Sequence, residues 1–108
     1  DVSPTTGYHP DYNGISSPVG SFPANGYGLY DMAGNLYEWC WDWYGSSYYT
    51  TCNDLGTVSD PTGPTTGSER VGRGSGFYSD AYECRVVKRD GGYPYISGGV
   101  GFRLARTP

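Results

Sequence analysis

Histidine is almost absent from this 108-residue chain; His9, between Tyr8 and Pro10, is the one example and sits among turn formers, as a surface loop residue would. With one histidine no Ser/His/Asp set can be assembled. Cysteine is scarce as well: Cys40, Cys52 and Cys84 stand far apart with no CxxC pair, too few ligands for a structural zinc site. The odd count leaves at least one thiol free or paired between chains. Buried structural roles for Cys40 and Cys84, and a bridge between them, both stay open. Basic residues are few, seven against eleven acidic ones, for a net charge of −4, and the two signs are interspersed. That is no nucleic-acid footprint. No apolar run is long enough to span a membrane. No window carries a long 3.6-residue stripe, so little helix is expected. No glycine-rich loop leads from a strand into a helix to cradle phosphate.

What the chain does have is glycine, proline and aromatic rings: 18 Gly, 8 Pro, 12 Tyr, 3 Trp and 3 Phe. The glycine and proline argue for loops, and the aromatics supply the buried area that a disordered chain lacks. At this length the expectation is one small domain, residues 1–108, with a thin core. Residues 25–43 organise it. Leu36, Glu38, Cys40 and Asp42 alternate with Tyr37, Trp39, Trp41 and Trp43, the period-two pattern of a half-buried strand with one large aromatic face. Gly26, Gly28 and Gly34 mark a turn region ahead of it.

Residues 1–23 read as loop, with a short strand at 19–22. Residues 45–68 read as a long polar surface excursion with Asp60-Pro61 and Gly63-Pro64 turns. Further strands are expected at 70–74, 84–89 and 100–106, separated by loops at 77–83 and 90–99. The terminal strand would close the sheet, and Trp39 and Phe102 are candidates for its aromatic core.

These residues carry a resemblance. GYGLYDMAGNLYEW, the Asp60-Pro61-x-Gly63-Pro64 segment, Gly67-Ser68-x-Arg70-Val71-x-Arg73-Gly74, Cys84-Arg85-x-x-x-Arg89 and Gly101-Phe102-Arg103 stand in the order found in the formylglycine-generating-enzyme (sulfatase-modifying factor) family. The likeness covers nearly all of this chain but only the C-terminal half of the usual family domain. It implies an α+β, C-type lectin-like fold, loop-rich, with short antiparallel strands and little helix.

The resemblance also implies structural calcium. One site would take the side chains of Asp1 and Asn13 with the carbonyls of Val2 and Ile15; the other, the side chains of Asp31 and Glu38 with the carbonyls of Gly34 and Leu36. Such mixed oxygen sets suit calcium. From spacing alone, Asp31 as a turn cap and Glu38 as a solvated strand residue are the favoured reading; the resemblance tips the second site to calcium. The sulfatase-activating members use copper and two cysteines between the RGGS-type turn and the Arg-x-x-x-Arg segment. Here residues 74–83 hold no cysteine, with Tyr78 and Ala81 standing near those positions, and Cys84 is displaced and alone. The iron-dependent sulfoxide synthases of the family need several histidines. Neither copper nor iron is expected, and the catalytic reagents are missing.

A second, narrower resemblance covers RVGRGSGFYSDAYECRVVKRDGGYPYISGGVGFRLA, which is similar to the variable region of proteins diversified by retroelements. There, adenine-directed mutagenesis of AAY-type codons yields Tyr, Ser, Asp, Gly or Ile, but not Lys or Glu. The variable positions implied are Tyr78, Ser79, Asp80, Tyr82, Asp90, Gly91, Gly92, Tyr93, Tyr95, Ile96, Ser97, Gly98 and Gly99. The framework implied is Phe77, Ala81, Cys84, Arg85, Val86, Arg89, Pro94, Gly101, Phe102 and Arg103. Loops favour the same residue types for ordinary reasons, yet this is also the palette of antibody paratopes. The expectation is a non-catalytic domain that displays variable loops to a protein or glycan ligand on another cell or particle surface, without nucleic acid or a membrane span, itself placed on a cell or virus-particle surface. The alternative is an oxidase-like or pseudo-enzyme piece of the same family.

Overall fold

The computed structural model describes residues 14–95 and 98–105 of the chain. Four strands and one helix follow in the order β1 (Tyr37–Trp43), α1 (Tyr48–Leu55), β2 (Arg70–Arg73), β3 (Asp90–Gly92) and β4 (Val100–Gly101). They form one sheet in the order β3-β2-β1-β4. β1–β2 and β2–β3 pair antiparallel, and β4 adds to the outer edge of β1 in parallel.

The aromatic strand forms where the alternation places it, but it does not keep one face inward. Glu38 pairs with Arg73 and Trp39 with Gly72, yet Trp43 pairs with Arg70, so four residue steps along β1 face two along β2. The surplus is taken up as a bulge, which bends a strand and re-aims its side chains. The Trp41 side chain is 88% exposed, whereas Trp39 and Trp43 stay half-buried. Arg70 lies over the Trp43 ring at 3.5 Å and donates to the Trp41 carbonyl, holding the bulged backbone.

The third strand lies further along than the apolar pair Val86-Val87 suggests. Residues 84–87 are turns and a bend, with Val86 and Val87 exposed, and the strand is Asp90–Gly92 within the expected loop. Arg73 accounts for this: its guanidinium donates to the carbonyls of Val86 (2.6 Å) and Lys88 (3.4 Å), so those groups are satisfied by a side chain and not by a ladder. Residues 19–22 form turns and bends, not a strand. The segment 45–68 contains α1, a helix with no apolar stripe to announce it. Its first turn is anchored by tertiary contacts: the Tyr49 hydroxyl donates to the Val87 carbonyl at 2.7 Å, and the Tyr48 hydroxyl accepts from the Gly63 amide at 3.1 Å. An isolated helix of this length is marginal, and such contacts decide it.

Among the described residues Val71, in the middle of β2, is the fully buried apolar side chain, 1% exposed. Phe102 is 77% exposed and takes no part in a core within this chain. The three cysteines are free thiols, each half-buried, so the Cys40–Cys84 bridge does not form.

Candidate functional site

The loop after β2 is held by backbone bonds to the turn before β1. The Gly34 amide donates to the Gly74 carbonyl and the Phe77 amide to the Asn35 carbonyl, each at 2.7 Å. Asn35 adopts φ +65° and is fixed by paired amide–backbone bonds with Ser17. On this base Tyr78 is exposed, its ring edge-on to Phe77 at 5.1 Å and 6.4 Å from Tyr37. Ser79 turns inward and is buried, its hydroxyl accepting from the Gly76 amide at 3.3 Å. Asp80 shapes the next turn by accepting from the amides of Tyr82 and Glu83. Tyr82 is exposed beneath the Arg85 guanidinium, 3.7 Å from its ring, and Arg85 also donates to the Tyr82 carbonyl.

The segment 90–99 divides. Asp90, Gly91 and Gly92 belong to β3, paired with Gly72, Val71 and Arg70. A Cβ on Gly92 would lie 2.7 Å from the Trp39 ring, so that ring rests directly on the β3 backbone. Tyr93 and Tyr95 are exposed and stacked on each other at 5.3 Å. Gly98 is open, and Gly99 approaches Tyr78: a Cβ there would sit 3.2 Å from the Tyr78 hydroxyl. The two loops thus converge at Tyr78. Ile96 and Ser97 lie outside the described residues.

Between the loops and β1 lies a cleft of about 190 Å³. Tyr37, Trp39 and Val100 form its framework wall, Tyr78 its rim, and glycine backbone with Asp90 the remainder. Tyr37 donates to Asp90 Oδ2 at 3.1 Å, and Lys88 pairs with Asp90 Oδ1 at 2.9 Å. Burial raises the Tyr37 phenol above its ordinary pKa, offset by the nearby Ser75 and Ser79 hydroxyls, while the Asp90 carboxylate adds to the rise. Ser75 is fully buried, and its hydroxyl completes no hydrogen bond although it lies close enough to influence Tyr37. The hydrogen bond to Asp90 likewise holds the Lys88 ammonium above its usual value. Sequence reasoning assigned Trp39 to the core and missed this wall; the available signal was glycine on β2 and β3 beside an aromatic strand.

The proposed metal ligands fall in two groups. Asp1, Val2 and Asn13 lie outside the described residues, and the Ile15 side chain is exposed. Asp31 and Glu38 are brought together by Arg103, which binds both Glu38 oxygens at 2.9 and 2.6 Å and reaches the Asp31 carbonyl at 3.3 Å. Gly34 and Leu36 lie between them in sequence, Gly34 at φ +81° and Leu36 just before β1. Asp31 Oδ2 accepts from the Gly20 amide at 2.7 Å, while buried Asp31 Oδ1 has no hydrogen-bond partner. An orphaned carboxylate oxygen suits a cation, whereas Glu38 already has a cationic partner. No group of three or more His, Cys, Asp or Glu is gathered for a metal among the described residues. No helix among them is long and apolar enough to cross a membrane.

Comparison with known proteins places this geometry. Formylglycine-generating enzyme of Thermomonospora curvata is 42% identical over 97 residues, 86% of this chain and 32% of that protein. Serine/threonine-protein kinase pkn1 of Chlamydia caviae is 42% identical over 96 residues, 88% of this chain and 15% of that protein. The chain thus spans a third or less of the length of these relatives. Among solved structures, Treponema denticola variable protein 1 superposes with a TM-score of 0.69 at 35% identity, over 84% of this chain and 33% of that one. Its likeness and the curled four-strand sheet give the fold class as C-type lectin-like. Residues 5–108 match the sulfatase-modifying factor enzyme 1-like domain, and the chain belongs to that family.

Proposed function

We propose that this chain is a non-catalytic ligand-binding domain that displays variable surface loops, as the likeness to Treponema denticola variable protein 1 suggests. The observation that carries the reading is the placement of Tyr78, Tyr82, Tyr93 and Tyr95. All four are exposed, on segments whose backbone is fixed from below by Arg73, Asn35 and β2. Large amphipathic rings on a rigid base suit recognition of a protein or glycan surface at low entropic cost. Replacing the four tyrosines by Ala together should leave the melting temperature within a few degrees and abolish capture of clones from a random-peptide phage library and of spots on a glycan array. Unfolding of that variant would make the tyrosines structural and overturn the reading.

A second reading follows from the relatives named formylglycine-generating enzyme: an oxidase-like or pseudo-enzyme piece. The segment 74–83 has no cysteine, and Cys84 is a single half-buried thiol. Copper, oxygen and a sulfatase-type cysteine peptide should therefore give no aldehyde by mass spectrometry; its appearance would favour the enzyme.

Calcium belongs to the proposal as a structural ion. Asp31, with the carbonyls of Gly34 and Leu36, would hold it, supported by the orphaned Asp31 Oδ1, and Glu38 would join by giving up its pairing with Arg103. Binding to the native state alone would stabilise it by about 2.7 kcal/mol at a hundred times Kd. Melting curves that superimpose with calcium and with chelator would remove it.

A further inference from the structure

We propose that the cleft between β1 and the converging loops is a one-ring subsite that takes a tyrosine side chain of a protein partner. That the occupant comes from a partner rests on the reading of the loops as a recognition face; the chemistry of the cleft does not. Its volume, about 190 Å³, is below the roughly 300 Å³ at which drug-sized sites begin, yet exceeds the roughly 150 Å³ that encloses benzene. The Tyr37, Trp39 and Tyr78 rings and Val100 line it. Such walls favour an aromatic ring through offset or edge contacts.

The polar corner selects what the ring carries. An ionised carboxylate offers about four acceptor positions. Asp90 gives one oxygen to Tyr37 and the other to Lys88, so acceptor capacity remains. A second cation gains little there, because Lys88 already neutralises the carboxylate at 2.9 Å. A neutral donor such as a phenol hydroxyl loses nothing by that pairing and can still bond. A sugar would bring several hydroxyls to a cleft with one polar corner, and each left unpaired on burial is costly. One ring with one neutral donor is the phenol of tyrosine.

The shape depends on glycine. The Trp39 ring lies against β3 because Gly92 has no Cβ, which would fall 2.7 Å from the ring, whereas a Cβ on Gly72 would meet the Tyr37 ring in ordinary van der Waals contact at 3.5 Å. The cleft therefore keeps this shape only while β3 presents glycine backbone at Gly92 to the Trp39 wall.

The test uses p-cresol and toluene as probes of the same ring with and without the donor, followed by proton NMR at the Trp39 indole and Tyr78 ring. The expected result is saturable shifts at both rings, with p-cresol bound on the order of tenfold more tightly than toluene, as a hydrogen bond to a charged acceptor provides. Asp90→Asn should bring the two probes closer together, and Tyr78→Ala should weaken both while the near-ultraviolet spectrum of the tryptophans is kept. No saturable shift in the wild-type chain, or equal affinity for p-cresol and toluene, overturns the subsite. The outcomes separate from those of the loop reading: p-cresol binding with no library capture leaves the cleft and removes the paratope. Library capture lost in the four-tyrosine variant without p-cresol binding does the reverse.

Discussion

Trp39 and Trp41 of β1 stand two residues apart on the same alternation and meet opposite fates. At the Trp39 end the strand pairs regularly with β2, and the indole rests on the glycine backbone of β3 and lines the cleft. At the Trp41 end the register slips, and the indole points to solvent, 88% exposed. The difference lies in what β2 and β3 offer opposite each ring. Gly92 leaves room for the ring at Trp39, while further along the Arg70 guanidinium lies over the Trp43 ring at 3.5 Å and the Trp41 ring at 5.2 Å. Aromatic alternation makes a strand; the partner strands decide which rings become structure and which remain available.

The largest test of this contrast is the pair Trp39→Ala and Trp41→Ala. Loss of the Trp39 ring should cost about 3 kcal/mol in denaturant unfolding. Removing Trp41 should move stability by no more than about 0.5 kcal/mol. Equal costs would mean that both rings are packed.

Filling that room is the next test. Gly92→Ala places a methyl 2.7 Å from the Trp39 ring and should destabilise by about 1–3 kcal/mol. The Ala variant at Gly98, with open space around it, should not, and near-ultraviolet circular dichroism should show a displaced tryptophan only in the first.

A smaller effect belongs to the bulge. Arg70→Ala removes the contact over Trp43 and the bond to the Trp41 carbonyl, and should cost about 1 kcal/mol with a change in indole fluorescence.

The smallest is a pH effect at the Trp39 end. The Tyr37 phenol is raised, first by burial. The native state then holds its proton where the unfolded chain, with a tyrosine pKa near 10, has begun to release it. Its contribution is fully present below about pH 10 and declines as pH rises through the higher native value. The slope of stability against pH above that point should be shallower for Tyr37→Phe; an unchanged slope would show that Tyr37 does not titrate differently in the fold.

Much of the fold was legible because its signals are local. The Tyr/Trp alternation located β1 to within a residue, Arg70–Arg73 appeared where expected, and the ordered motifs gave the family that the match over residues 5–108 establishes. The glycine and tyrosine content of residues 77–83 and 90–99 marked loops, although 90–92 of the second proved to be strand. The candidate face was legible as a composition, not as a surface: Ser79 carries a permitted residue type and is buried, while Asp90, Gly91 and Gly92 do so within a strand.

What the tertiary structure decided is everything that depends on a partner distant in sequence. Arg73 claims the carbonyls of residues 86 and 88, which moves β3 from the apolar Val86-Val87 pair to Asp90–Gly92. Tyr49 and Tyr48 tie down a helix that its own sequence does not announce. Arg103, far along the chain, settles on Glu38, so a carboxylate that spacing leaves open has a cationic partner. The register between β1 and β2 exposes one tryptophan and seats another. By itself the sequence determines period and propensity, which are properties of neighbouring residues. Register, burial and the pairing of polar groups are set by which distant backbone comes to lie alongside, and no local pattern encodes that choice.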